Sequence, residues 1–335
     1  MKPIQQIYPE LALPRKVVIT MHQKPDPDAM GSALGLYHFL RKFGHQCTVI
    51  SPTNWADFLQ WMPGCKEVID YESHREKSDG ILDQADWVFC LDFNALHRTK
   101  HMARKLESIH AVKVLMDHHE EPQTSSFQFG ISVIPKSSTA EMVYDFICES
   151  GHADKIDTDI AQCLYAGVMS DTGSFRFPVT TPSVHLMVAA LKKTGLNHAK
   201  VHEEIYDNFL ENRLRFIGHV LANRMEVLYE YNVALIAIPK ADLQRFHIRT
   251  GDTEGLVNYP LSIKGIRMAA LLIDRDEERR WSFRSKDGFD CNNFARKYFE
   301  GGGHYNAAGG RSSLSQEDNI RAFKDAIREN ASQLQ

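Results

Sequence analysis

Several things are scarce in this sequence. Its 335 residues include six cysteines, at 47, 65, 90, 148, 163 and 291, and no two of them form a Cys-x-x-Cys pair. That excludes a zinc ribbon or a disulfide scaffold and reads as reduced thiols of a cytoplasmic protein, several serving as small apolar side chains. No stretch approaches the roughly 18 uncharged apolar residues of a membrane span. The N-terminal MKPIQQIYPELALP has no apolar core of the kind a signal peptide needs. There is no basic excess either: 39 Lys+Arg stand against 43 Asp+Glu, a formal charge of −4. A reader of long nucleic acid normally carries a strong positive surplus, so this balance argues against one and leaves room for a small anionic substrate in a local pocket. Internal repeats and low-complexity segments are also missing.

What is present matches an ordinary globular chain of about two domains, with 43% hydrophobic and 24% charged residues. Short, nearly all-apolar, β-branched runs mark strands buried on both faces: Lys16–Met21, Cys47–Ser51, Trp87–Asp92, Val112–Asp117 and Ile131–Ile134. Between them lie helical patterns such as Ala29–Phe43 and Ser138–Ser150, closed by Gly44 and Gly151. This alternation predicts an α/β fold with a mainly parallel sheet flanked by helices. The pattern then turns helical, with Ile160–Met169, Thr181–Thr194 and Arg213–Tyr229. Strands return at Val233–Ile238, Arg267–Ile273 and Arg280–Arg284, followed by helices Asn292–Phe299 and Gln316–Glu329 around a glycine-rich run. The expected organisation is an α/β domain over 1–190, a helical connector over 191–230 and a smaller α/β domain over 231–335.

Sixteen histidines direct attention to metal or proton chemistry, and position narrows them. Strand KVVITM runs into His22-Gln-Lys-Pro-Asp26-Pro-Asp28-Ala-Met-Gly31-Ser32, WVFCL ends at Asp92, and VKVLM ends at Asp117-His118-His119. A fourth acidic site, Ser170-Asp171-Thr172-Gly173, follows the helix Ile160–Met169. Carboxyl ends of neighbouring parallel strands converge on one crevice. Each piece has a bland explanation: Asp-Pro-Asp is a good turn, Asp92 could cap a helix, and Asp-His-His could be a solvated loop. Gathered together, however, Asp26, Asp28, Asp92 and Asp171 would repel one another prohibitively without cations. Two divalent ions would neutralise them, and mixed carboxylate and imidazole donors suit Mn²⁺, Fe²⁺, Co²⁺ or Zn²⁺ better than Ca²⁺.

These motifs resemble the DHH phosphoesterase superfamily, named for the triplet that stands here as Asp117-His118-His119. The resemblance extends to Gly301-Gly302-Gly303-His304 through Ala307-Ala308-Gly309-Gly310, which is similar to the glycine-rich substrate motif of the DHH-associated C-terminal domain, and it points to the NrnA-type subgroup of nano-RNases that also dephosphorylate 3′-phosphoadenosine 5′-phosphate. It implies two Mn²⁺ sites, one using His22, Asp26 and Asp92, the other Asp28, Asp92, His118 and Asp171, with Asp92 bridging. It also implies a water activated by those ions, with Asp92 and Asp171 in the catalytic centre. His119 would face the substrate as a positioning group or proton donor to the leaving oxygen. Substrates would be short RNA oligonucleotides or small phosphorylated nucleotides, bound in a cleft between the domains; the resemblance leaves a homodimer open.

The glycine run could also form a backbone nest for an anion, a reading preferred here to a plain tight turn; His304 could donate to a phosphate. Arg284 and Arg176 are the candidate phosphate-binding arginines, because a guanidinium offers a planar fork. Phe175 and Phe177 flank Arg176 and could stack on a base or pack as a short strand with at least one ring in the core. Within the same chemistry the competing expectations are a cyclic or linear dinucleotide phosphodiesterase, a RecJ-like single-strand exonuclease, or a poly- or pyrophosphatase. Outside it stands a nucleotide-binding regulatory protein, which predicts a broken ligand position where this sequence has none.

Overall fold

The computed structural model describes residues 1–275, 279–286 and 288–335, and the chain divides into two compact units, Met1–Asn208 and Phe209–Gln335. The first is built on seven strands: β1 (Lys2–Pro3), β2 (Lys16–Thr20), β3 (Gln46–Ser51), β4 (Ile69–Asp70), β5 (Trp87–Leu91), β6 (Val112–Asp117) and β7 (Phe129–Ser132). They pair in the order β1-β7-β6-β5-β2-β3-β4, every pair parallel. The helices are α1 (Pro27–Arg41), α2 (Arg75–Asp83), α3 (Ala103–Ser108), α4 (Thr139–Glu149), α5 (Thr158–Asp171), α6 (Pro182–Lys192) and α7 (His198–Tyr206).

Strand residues feed two cores alternately, as a period of two requires. Val17, Ile19, Phe89, Val114 and Met116 pack with the apolar faces of α1, α4 and α5. Val18, Val88, Cys90 and Leu115 pack on the other side with Leu82 of α2 and Leu106 of α3. Near-continuous apolar strands are the result, which is why sequence alone could locate them. The two-residue strands β1 and β4 gave no such signal.

The chain leaves β2 for β3 on one side and later returns to β5 on the other. The order therefore reverses between β2 and β5, and the crevice beyond the carboxyl ends at such a switch point is where an open α/β sheet holds a ligand. His22 follows β2 and Asp92 follows β5, so the topology puts those two loops side by side.

Helices α1 and α5 carry Asp28 and Asp171 and cross at glycine. A Cβ on Gly31 would lie 2.3 Å from the Cys163 carbonyl oxygen, and one on Gly167 would lie 2.7 Å from Asp28 Oδ1. Only an absent side chain permits backbones this close. Pro27 between the two aspartates is explained by position: it is the first residue of α1, where a missing N–H costs nothing and φ is already helical.

The second unit contains β8 (Met225–Leu228), β9 (Val233–Ile238), β10 (Met268–Asp274), β11 (Arg279–Ser285), β12 (Gly302–His304) and β13 (Ala307–Ser312), with α8 (Glu211–Asn223), α9 (Lys240–Arg245), α10 (Cys291–Tyr298), α11 (Gln316–Glu329) and α12 (Ala331–Leu334). The mixed sheet runs β12-β13-β11-β10-β9-β8, parallel only between β9 and β10. One face carries Trp281, Phe283, Phe294, Phe299 and Phe323; Phe216, Ile217 and Val220 of α8 cover the other along β9 and β10.

Two differences from expectation appear here. The helix expected over Arg213–Tyr229 ends at Asn223, and 225–228 form β8 against β9; the apolar residues Met225, Val227 and Leu228 fit either period over so short a run. The expected connector 191–230 is accordingly divided, its first part packing in the first unit and 209–230 in the second.

Replacing Gly31 by alanine is expected to push α1 from α5 and to destabilise the chain by about 1–3 kcal/mol, read as a lower urea midpoint. An unchanged midpoint would contradict the close crossing.

Candidate active site

Each acidic and imidazole side chain beyond the strand ends is placed by a local device. Asp26 caps α1, its Oδ1 accepting the N–H of Asp28 at 3.0 Å and of Ala29 at 2.9 Å, and its other oxygen faces His22 Nε2 at 3.7 Å. The bland capping role and the site role thus coexist in one carboxylate. Asp28 is fully buried and accepts two backbone N–H groups from the start of α4, Thr139 at 2.7 Å and Ala140 at 2.9 Å. A helix N-terminus is a favourable seat for an anion. Asp92 is 2% exposed and sits at φ +63°. That left-handed backbone costs roughly 1–2 kcal/mol, and it turns the carboxylate back over the strand ends.

Asp92 is the centre of the group. Its Oδ2 lies 3.4 Å from His22 Nε2 and its Oδ1 lies 3.4 Å from His118 Nε2. Asp171, the last residue of α5, brings Oδ2 to 3.4 Å from the same His118 nitrogen. Both imidazoles are tethered through the far nitrogen: His22 Nδ1–H donates to the Gln23 carbonyl at 2.8 Å and His118 Nδ1–H to the Lys136 carbonyl at 3.2 Å. A carbonyl only accepts, so in each ring Nε2 is the nitrogen turned toward the carboxylates. His22, Asp26 and Asp92 form one set with converging donor atoms; Asp28, Asp92 and His118 form a second, and Asp92 belongs to both.

Electrostatics show what this packing costs. Burial pushes Asp28 well above the ordinary carboxylate range, and the charges of Asp92 and Asp171 push it further. Burial likewise raises Asp171 well above that range, with Asp26 and Asp92 adding to it. Its place at the carboxyl end of α5 sets an anion against the helix dipole as well. Burial opposes charging of His22 and His118, but the nearby negative charge of Asp26 and Asp92, and of Asp92 and Asp171 respectively, overcomes it and holds each at about 10. Burial would raise Asp92 too, yet His118 and His22 keep it well below its usual value. Positive charge on the two imidazoles offsets part of the carboxylate charge around Asp92.

His119 has a different partner. Its Nδ1–H donates to Asp117 Oδ1 at 2.7 Å, and Asp117 is fully buried. Asp117 thereby fixes the ring of His119, a role its place in the strand did not announce. Two more contributors were invisible in sequence. Thr139 Oγ1–H donates to Asp92 Oδ1 at 2.9 Å, and Lys136 reaches His118 through its backbone carbonyl. Ser138 was legible as a helix start; that this start points at the carboxylates is a fact of packing.

Arg176 belongs to the same unit but lies in a turn whose residues Gly173, Ser174 and Phe175 all have positive φ. The expectation of a short Phe-Arg-Phe strand therefore fails. Phe175 packs against the main core and Phe177 is 38% exposed. Arg176 Nε–H donates to the Gly173 carbonyl at 2.6 Å.

In the second unit the glycine-rich run departs from the expected anion nest. It forms the hairpin β12–β13 with a two-residue turn at 305–306, and the N–H of Gly303 donates to Asn292 Oδ1 at 2.9 Å. The glycines answer a packing demand: a Cβ on Gly301 would lie 2.0 Å from the Gly309 carbonyl oxygen, and one on Gly303, at φ +154°, would lie 2.5 Å from that of Ala307. Gly302 stands opposite Gly309. Arg284 pairs with Ala307 and Ala307 with His304. Directly opposed residues share a face, so Arg284 and His304 lie on one face across a small alanine.

This fold and site define a class. A model of the DHH family N-terminal domain matches residues 16–168 and a DHHA1 domain model matches 230–333; the chain belongs to the DHH family and is a hydrolase of phosphate esters. More particular relatives are two proteins named bifunctional oligoribonuclease and PAP phosphatase NrnA. The one from Bacillus subtilis is 29% identical over 92% of this chain and 93% of its own length, and that from Thermus thermophilus 28% identical over 93% and 89%. A solved structure of an exopolyphosphatase-related protein from Bacteroides fragilis superposes with a TM-score of 0.93 at 36% identity, covering 99% of this chain and 97% of that one.

Replacing Asp171 by asparagine is expected to raise the melting temperature of the metal-free protein. A carboxyl held above its unfolded value stabilises the fold below the usual carboxylate range and loses that contribution as pH rises through the folded value. The advantage of the variant should therefore grow from pH 4 to pH 7. A variant that melts lower than the parent in EDTA at pH 7 would show that the anion is not a burden there.

Proposed function

We propose that the chain is a two-metal phosphoesterase of the nano-RNase kind, hydrolysing oligoribonucleotides of a few residues and 3′-phosphoadenosine 5′-phosphate. The observation that carries this reading is the sharing of Asp92 between two donor sets, one oxygen toward His22 and the other toward His118. The spacing fits ions. Separations of 3.4–3.7 Å between ligand atoms exceed a good hydrogen bond and suit neighbours around a cation bonded at about 2.1 Å.

His22, Asp26 and Asp92 would hold one divalent ion, and Asp28, Asp92, His118 and Asp171 the other. Mn²⁺ is the preferred occupant because the donors mix carboxylate with imidazole and include no thiolate. Such ions lower the pKa of water and neutralise phosphoryl oxygens. The chain does the rest. Asp117 anchors Nδ1 of His119, so Nε2 is the nitrogen through which a proton would pass to the leaving oxygen. Arg176, five residues beyond Asp171, would steady the phosphate under attack. Arg284, beside His304 and Gly301 to Gly303, would take a terminal phosphate on the second unit, a bidentate task suited to its guanidinium. Two relatives named for oligoribonuclease and PAP phosphatase activity over nearly their whole length support this substrate class.

The test is a panel assayed with Mn²⁺: 3′-phosphoadenosine 5′-phosphate, pApA, an RNA ladder of two to five nucleotides, long single-stranded DNA and pyrophosphate. Turnover should concentrate on the first three. Hydrolysis of pyrophosphate alone would overturn the reading. Asp92→Ala should cut turnover by more than about 100-fold, because a ligand matters more than a supporting partner; normal Mn²⁺-dependent activity in that variant would refute the two-metal assignment.

A further inference from the structure

Three of the six candidate ligands lean on one short segment, residues 136–140, where the chain enters α4. The Lys136 carbonyl holds His118, the N–H groups of Thr139 and Ala140 hold Asp28, and the Thr139 hydroxyl holds Asp92. The segment is itself pinned. Ser138 Oγ accepts the N–H of Glu141 at 3.0 Å, while the buried Glu141 carboxylate accepts both the N–H and the hydroxyl of Ser137, at 2.9 and 2.7 Å. Lys136 Nζ and Ser183 Oγ donate to its other oxygen at 2.9 and 2.8 Å.

The support is one-sided. Thr139 donates to Asp92 Oδ1, the oxygen that faces His118, and leaves Oδ2, the oxygen that faces His22, to the other donor set. His22 and Asp26 take their own support from the Gln23 carbonyl and from the first turn of α1. An ionised carboxylate can only accept, so the threonine hydroxyl must be the donor. Nothing in helix formation asks for a threonine at the first position of α4, where valine would have the same shape.

We propose that Thr139 is a positioning residue that sets the metal site of Asp28, Asp92, His118 and Asp171 and leaves that of His22, Asp26 and Asp92 nearly untouched. The inference rests on the two-metal reading given above. Its hydroxyl hydrogen-bonds only the oxygen that faces His118, so losing it should weaken the site on that side more than the other. Partners that orient ligands typically contribute about 10–100-fold in metal affinity.

Thr139→Val and Thr139→Ala remove the hydroxyl, and Thr139→Ser keeps it. Calorimetric titration with Mn²⁺ alone, with electron paramagnetic resonance to follow formation of the ion pair, reads both sites without substrate. The parent should bind two ions. Thr139→Val and Thr139→Ala should bind one ion as the parent does and the other about 10–100-fold more weakly, with the paired-ion signal appearing only in excess Mn²⁺. Thr139→Ser should restore it. Equal melting temperatures of the metal-free proteins establish that the fold is intact; if Thr139→Val fails to fold, Thr139→Ala makes the same comparison. Two ions bound with parental affinity in the hydroxyl-free variants, or both weakened equally, would overturn the inference while the two-metal reading stands. A parent that binds a single ion would overturn both.

Discussion

Four carboxylates gathered with two imidazoles around Asp92 at the switch point, Asp28 and Asp92 among them buried, are the constraint on which the first unit depends. Like charges in such a place are costly unless cations, protons or oriented dipoles answer them. Every device around the cluster serves that need. The start of α4 offers two N–H groups to Asp28, the first turn of α1 offers two to Asp26, and two imidazoles with tethered far nitrogens face Asp92. Even the left-handed backbone of Asp92 belongs here, since strain of this kind persists only where surroundings over-determine it.

Close helix packing is the second condition. Asp28 and Asp171 come from α1 and α5, and they meet because Gly31 and Gly167 let the backbones nearly touch. The same principle recurs in the second unit for a different end. There the glycines of β12 and β13 allow a tight hairpin beside α10, and the face that results presents Arg284 and His304 across Ala307. In both units glycine acts by absence, setting how near two backbones come.

Much of the candidate site was legible in the sequence because strand ends are legible. Runs such as KVVITM and WVFCL must be buried strands, and the residues that follow them must lie at one edge of a parallel sheet. Asp171 was harder, since it follows a helix, and only the crossing of α5 with α1 brings it in. What could not be read were roles that depend on orientation. Thr139 and Asp117 are ordinary residues whose partners lie 47 and 2 positions away, and nothing in their neighbours says where they point. Strand β8 was hidden because its four residues continue a helical pattern, and pairing with β9 decides against it. Successive glycines permit a nest, but pairing of β12 with β13 makes a hairpin of the run and Gly303 gives its N–H to Asn292.

The sequence by itself determined the α/β class, the strands that carry the cluster and the family, and it supplied the six side chains proposed to hold ions. These follow from composition, period and motif, which are properties of neighbours along the chain. Only the tertiary structure decided that Asp92 shows one oxygen to each histidine, that α4 begins at the carboxylates, and that the glycines are a matter of backbone approach. Those are properties of distance and direction, and they exist only once segments far apart in the chain have packed.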